Sequence, residues 1–157
     1  MHLYKCIKRR KKNKFMKVTF FGHKNTPREI ESTLRDVLIN LIQNENADKF
    51  YVGNHGSFDL CVQNVLKKLK EEYKIDYYIV LAYMPQEKAS NYINYEDTIY
   101  PDGLESVPLK LAICKRNEWM ISQSDIVITY VKRDYGGASK YKKMSEKKGK
   151  RVINLYQ

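Results

Sequence analysis

The stretch Asp125-Ile126-Val127-Ile128-Thr129-Tyr130-Val131-Lys132-Arg133-Asp134-Tyr135-Gly136-Gly137-Ala138 decides the fold. Ile126 to Val131 are all β-branched or aromatic, the composition of a buried strand. The pair Gly136-Gly137 then leads into a run, Ala138 to Lys148, of helix-forming composition. A strand, a glycine turn and a helix in that order leave bare backbone N–H groups where an anion can sit. Lacking Cβ atoms, the two glycines let a phosphate approach the main chain closely. The same pair also suits a simple tight turn, so the other loops have to decide between the two readings.

Working back toward the N-terminus, Lys17 to Gly22 reads as a first strand that ends in a turn. Thr26 with Glu29 forms a capping-box pattern, and Pro27 suits the first helical position, so a helix is predicted from there. Ile30, Leu34, Val37, Leu38, Leu41 and Ile42 recur at three- and four-residue spacing and give that helix one apolar face, ending near 44–46. A second strand, Lys49 to Val52, runs into Gly53-Asn54-His55-Gly56-Ser57. A second helical stripe follows: Phe58, Val62, Val65, Leu66, Leu69 and Tyr73. Tyr77 to Met84 is an unbroken apolar run, as a central parallel strand covered on both faces requires.

Residues 85–107 break this rhythm with Pro85, Pro101, Gly103 and five acids, and a connection of that length suits a lid or binding loop. Tyr92, Tyr95 and Tyr100 in it suit either anchoring the loop or stacking on a ligand base. Pro108 to Ser122 reads as a third helix with Leu111, Ala112, Trp119 and Met120 among its apolar positions. Arg151 to Tyr156 closes the chain as a last strand. The alternation predicts an α/β fold, a single Rossmann-like doubly wound, mainly parallel sheet of about five strands with helices on both faces.

Composition sets the remaining bounds. A chain of 157 residues with 43% hydrophobic and 30% charged residues suits one soluble domain able to bury a core. No apolar run of 18 residues predicts a membrane span, and no apolar segment follows the basic start as a secretory signal would require. Cys6, Cys61 and Cys114 are odd in number and lack metal-ligand spacing, so a cytoplasmic location is expected. The net charge of +11 is unevenly spread: residues 1–15 carry seven cations and no acid, leaving +4 for the remainder. Lys140, Lys142, Lys143, Lys147, Lys148, Lys150 and Arg151 form a second cluster on and after the last helix. Met16-Lys17-Val18 looks like a natural start, so residues 1–15 are expected to be a disordered basic extension and 16–157 the domain.

In doubly wound sheets ligands bind beyond the carboxyl ends of the strands. The loops there are Gly22-His23-Lys24, Gly53-Asn54-His55-Gly56, Tyr83 with the long insert, and Gly136-Gly137. Neither the G-x-G-x-x-G fingerprint nor a P-loop occurs. His23 and His55 suit a phosphate contact, His55 more than His23, or a turn satisfied by backbone. Asp59 falls in the first turn of its helix, where a carboxylate caps the helix as well as it meets a ligand. Arg116, beside Asn117, would by default face solvent, yet a guanidinium suits planar contacts to phosphate. Two distant histidines without a third ligand argue against a metal, and no nucleophile elbow is present.

Taken in order, Val18 to Lys24, Phe50 to Asp59, Val80 to Tyr83, Thr98 to Glu105, Arg116 to Met120 and Gly136-Gly137-Ala138 resemble the SLOG superfamily, more closely its small bacterial SLOG-domain proteins. The likeness runs from about residue 17 to 155, with Lys24 in place of the usual arginine and Ser57 in place of a second glycine. It implies a Rossmann-like fold that binds nucleotides or nucleotide-derived small molecules as a sensor or sequestering module. The ligand-binding residues it implies are Gly22, His23, Lys24, Gly53, Asn54, His55, Gly56, Asp59, Tyr83, Glu105, Arg116, Asn117, Gly136, Gly137 and Ala138.

More distantly, the chain is similar to the cytokinin-activating phosphoribohydrolases. Their Arg-Lys-x-x-Met and Pro-Gly-Gly-x-Gly-Thr-x-x-Glu motifs carry over only onto Arg116, Met120, Gly136 and Gly137. Their catalytic glutamate is absent, with Lys140 and Lys142 in its neighbourhood, so binding without hydrolysis is expected. Cleavage of an N-glycosidic bond in a nucleoside monophosphate is the alternative, with Glu105, Asp59 or Glu118 as replacement carboxylates. Nucleic-acid binding through the basic clusters ranks third, since no recognised aromatic motif or helix-turn-helix accompanies them. No cofactor and no membrane partner are expected, and helix pairing in related folds makes a homodimer plausible.

Overall fold

The computed structural model describes residues 14–84 and 97–157. The basic run up to residue 13, and Pro85, Tyr92 and Tyr95 of the expected lid, lie outside the described residues. In chain order the elements are β1 (Met16–Gly22), α1 (Ile30–Glu45), β2 (Ala47–Val52), α2 (Gly56–Glu72), β3 (Asp76–Val80) and β4 (Thr98–Ile99). A 3₁₀ turn (Leu104–Ser106) precedes α3 (Leu109–Gln123), β5 (Ile126–Tyr130), α4 (Gly137–Lys147) and β6 (Arg151–Asn154). Six strands form one sheet in the order β4-β3-β2-β1-β5-β6, with every pairing parallel. The strand beyond the expected five is β4, two residues of the long insert paired to Ile79 and Val80.

Side-chain alternation sorts the strands between two apolar layers. On one face Val18, Phe20, Phe50, Val52, Ile126 and Ile128 meet Leu34, Leu38 and Leu41 of α1 and Phe58, Val62, Leu66 and Leu69 of α2. On the other, Phe21, Tyr51, Val80 and Val127 meet Met120 and Ile121 of α3 and Tyr141 of α4. Each fully buried Leu, Ile or Phe contributes roughly 1.5–3 kcal/mol by leaving water. The two layers therefore hold the helices on both faces, as the sequence pattern requires. Among the described residues no helix is long and apolar enough to cross a membrane.

Three local expectations need correction. No capping box forms: α1 begins at Ile30, and Glu29 makes no side-chain cap. Thr26 instead has its N–H bound by Ser57 Oγ (2.7 Å), and its own hydroxyl donates to His23 O (2.7 Å). A tertiary contact has claimed the residue that the local pattern assigned to the helix. β3 ends at Val80, short of Met84, with Leu81 donating to Ile99 O of β4 before the chain turns away.

The third correction concerns α3. Its buried residues are Ala112, Arg116, Asn117, Met120 and Ile121, while Leu111 is 43% exposed. The face turned to the protein thus carries an arginine and an asparagine, and Leu111 lies off that stripe.

The site follows from the topology. From β1 the chain steps outward through β2, β3 and β4, then returns through α3 to place β5 on the other edge of β1. Strand order reverses between β1 and β5, and a crevice opens beyond their carboxyl ends.

Candidate functional site at the β1–β5 crevice

A cavity of about 570 Å³ occupies this crevice. Phe21, Ile113, Met120 and Tyr141 provide apolar wall, and Gly22, His23, Lys24, Asn25, His55, Asp59, Arg116, Asn117, Lys132, Arg133, Gly137 and Ala138 the polar rim. Nine of these (Gly22, His23, Lys24, His55, Asp59, Arg116, Asn117, Gly137 and Ala138) are among the residues expected from the sequence. Asn25, Lys132 and Arg133 are not, although Lys132-Arg133 directly follows a strand whose carboxyl end is legible in the sequence.

Arg116 is the most constrained of the set, only 3% exposed despite its charge. Its Nη1 donates to Val80 O at the end of β3 (3.0 Å) and to Asn54 Oδ1 (3.2 Å), and its Nε donates to Asn117 Oδ1 (2.9 Å). One guanidinium therefore joins α3 to the ends of β2 and β3. Burial presses its pKa down, and the charge of Asp59 opposes that shift.

Asp59 accepts the His55 N–H at Oδ2 (3.0 Å), which is the backbone turn at the start of α2. Burial pushes its carboxyl up to about 6, against the lowering effects of that hydrogen bond and of Arg116. The His55 imidazole sits below its usual pKa because of burial, Arg116 and Lys24, and so stays neutral at pH 7.

His23 ties the two loops of the crevice together. Its Nε2 accepts the Lys132 N–H (3.0 Å), so the neutral ring carries its proton on Nδ1. Burial, then Arg133 and Lys132, hold its pKa below the ordinary value. The ring also stands edge-on to Tyr130, with centroids 6.1 Å apart.

The glycines of the rim are there for different reasons. A Cβ on Gly22 would meet Phe58 Cγ at 2.2 Å, and one on Gly53 would meet Asp59 Oδ2 at 2.7 Å and Arg116 Nη1 at 3.2 Å. Gly56 has φ +87° and Gly136 φ +94°, backbone that L side chains rarely adopt. Of the seven glycines in the chain, Gly137 alone has neither a positive φ nor any atom within 4 Å of a would-be Cβ. Nothing within the described protein asks for glycine there, and Gly137 lines the cavity.

Several expected residues lie apart. Gly53, Asn54 and Gly56 support the rim from behind, through Asp59, Arg116 and the Lys24 backbone respectively. Gly136 faces a separate, shallower groove with Tyr135, Ser139 and Lys143. Tyr83 is 40% exposed, its hydroxyl donating to Leu109 O (3.3 Å) and its ring edge-on to His55. Glu105 sits on the exposed 3₁₀ turn, and Glu118 accepts Lys115 Nζ (3.3 Å); neither lines the cavity. Of the three replacement carboxylates only Asp59 reaches it. Among the described residues no group of three His, Cys, Asp or Glu gathers to hold a metal.

No family model matches the chain, and no curated protein does. Among solved structures it is similar to the X-ray structure of DNA processing protein A (DprA) from Streptococcus pneumoniae, with a TM-score of 0.64 and 16% identity. The match covers 88% of this chain and 49% of that one, so the chain spans about half the length of DprA. This likeness is one of fold: a Rossmann-like parallel α/β sheet.

Proposed function

We propose that this chain is a SLOG-like module that binds a nucleotide or nucleotide-derived small molecule in the β1–β5 crevice, without turning it over. The observation that carries the reading is Gly137, open to the cavity at the first turn of α4 for no conformational or packing reason. A helix N-terminus with free N–H groups and room in front of it favours a phosphate. Lys24, Arg116, Lys132 and Arg133 line the same cavity against a single carboxylate, Asp59, so its field attracts an anion. The volume also suits a ligand of nucleotide size.

Hydrolysis of an N-glycosidic bond would have to run through Asp59, since Glu105 and Glu118 line no part of the cavity. The four cations that line the cavity with that carboxylate oppose the positive charge that develops on the sugar. Binding is therefore favoured over cleavage.

Calorimetry against nucleoside mono- and diphosphates, NAD and cyclic nucleotides tests the reading. At least one of them binds, and Gly137→Val removes that binding while the variant melts within a few degrees of the parent protein. Failure of the whole panel to bind, or full binding by Gly137→Val, rejects it.

A further inference from the structure

The cavity is lined by four cations, Lys24, Arg116, Lys132 and Arg133, and one carboxylate, Asp59. β1 lies between β2 and β5, so at the ordinary strand spacing the β2 and β5 sides of the crevice are on the order of 10 Å apart. Lys132, Arg133, Gly137 and Ala138, the last two in the first turn of α4, belong to the β5 side. Asp59, beside Gly53 at the end of β2, belongs to the other. Arg116 is its nearest opposite charge and partly offsets its burial, but the guanidinium gives its hydrogen bonds to the neutral oxygens of Val80, Asn54 and Asn117 and none to the carboxylate. A carboxylate held this deeply costs desolvation, yet Gly53 leaves it the space to stay.

Resting on the nucleotide-binding reading above, we propose that Asp59 reads the sugar. Its carboxylate accepts hydrogen bonds from the ribose hydroxyls while the β5 side holds the 5′-phosphate. The same charge turns away a second phosphate at the β2 end. The ligand class is then a ribonucleotide with one phosphate group and free 2′ and 3′ hydroxyls. With a hydrogen bond of about 3 Å at each end, a ribose 5′-phosphate spans a gap of this order, whereas inorganic phosphate reaches only one side. Hydroxyls on a carboxylate also make charge-assisted bonds, stronger than those between neutral groups.

The groups acting on Asp59 are Arg116 from α3 and His55 from its own turn, and Lys24 from the loop after β1 lines the same cavity and acts on His55. Its raised pKa, about 6, makes the preference grow as pH rises through that value. His55, whose pKa burial, Arg116 and Lys24 lower, is present in both proteins, so the difference between the parent protein and Asp59→Asn isolates the carboxyl.

The experiment measures AMP and GMP, their 2′-deoxy and 3′-deoxy counterparts, ribose 5-phosphate and pyrophosphate on the parent protein, Asp59→Asn and Asp59→Ala at pH 5 and pH 8. The parent protein at pH 8 prefers the ribonucleotides over the deoxy forms by about tenfold or more. Both variants lose most of that preference and bind pyrophosphate more tightly, and the parent's preference shrinks at pH 5. Ribo and deoxy forms binding alike to the parent protein, or an undiminished preference in both variants, overturns the sugar assignment and leaves nucleotide binding standing. Absence of binding by every nucleotide and by ribose 5-phosphate overturns both.

Discussion

Gly22, at the end of β1, and Gly137, at the start of α4, sit on the same rim, and they are glycine for opposite reasons. At Gly22 the protein itself fills the space: Phe58 of α2 lies where a Cβ would go. At Gly137 nothing does, and the backbone torsion is one that any residue adopts. The β1–β2 side of the crevice is thus a packed scaffold, in which glycine, His23 and Arg116 hold loops to strand ends. The β5–α4 side is left open. A glycine-rich loop in a sequence does not distinguish these cases, because close packing and close ligand approach require the same missing atom.

The sharpest way to break this contrast is to fill both positions with the same methyl group. Gly22→Ala drives a Cβ to 2.2 Å from the ring of a fully buried phenylalanine and costs about 1–3 kcal/mol or more. Gly137→Ala stays within about 0.5 kcal/mol of the parent protein, with alanine's helix propensity acting in its favour. Urea denaturation midpoints of the two variants measure the difference. Equal stabilities would show that the two glycines are not opposites.

Asp59 sharpens the contrast from within the scaffold side. Its folded pKa, about 6, lies above the ordinary carboxylate value of 3.8. The raised value means that the protonated form is the one folding favours. That contribution is complete below about pH 3.8 and is lost as pH rises through 6. At pH 8 the ionised carboxylate is a burden on the unliganded protein, so Asp59→Asn stabilises it by roughly 1–3 kcal/mol, and the gain fades toward pH 4. Asparagine keeps an acceptor for the His55 N–H, so the comparison isolates the charge. A variant less stable than its parent at pH 8 would make Asp59 a structural cap, with no burden for a ligand to relieve.

Much of the fold is legible in the sequence because it rests on local periodicity. Leu34, Leu38 and Leu41 lie on one helical face, and Ile126 to Tyr130 is too apolar to be other than an interior strand. What escapes is what long-range contact decides. Thr98–Ile99 becomes a strand only because β3 is there to pair with it, and two residues have no period of their own. Thr26 carries the local signature of a cap but is captured by Ser57, 31 residues away.

The site is legible in its loops and hidden in its helix. Arg116 and Asn117 lie on the buried face of α3, the face a search for apolar stripes discards, so a solvent-facing arginine is the natural reading. Lys132 and Arg133 escape because attention to charge falls on long runs such as 140–151, whereas two cations placed just past a strand end line the crevice. Position relative to the sheet, not charge density, marks a site cation.

The smallest effect tests how the scaffold side is fastened to the open side. His23 is 5% exposed, and its Nε2 accepts the Lys132 N–H, a hydrogen bond by which its side chain joins the loop after β1 to the loop before α4. A protonated ring has no lone pair left on that nitrogen and must release the bond. Because burial and the two neighbouring cations depress the folded pKa below 6.5, the bond's contribution is present above pH 6.5. It is lost as pH falls through the depressed folded value. His23→Phe removes the acceptor at every pH and keeps a ring of similar shape. It therefore costs about 1 kcal/mol at pH 7.5, and the gap from the parent protein closes toward pH 5. Melting temperatures of both proteins across that range measure it. A gap that stays constant with pH would mean that the ring's packing against Tyr130, and not its hold on Lys132, is what the scaffold takes from His23.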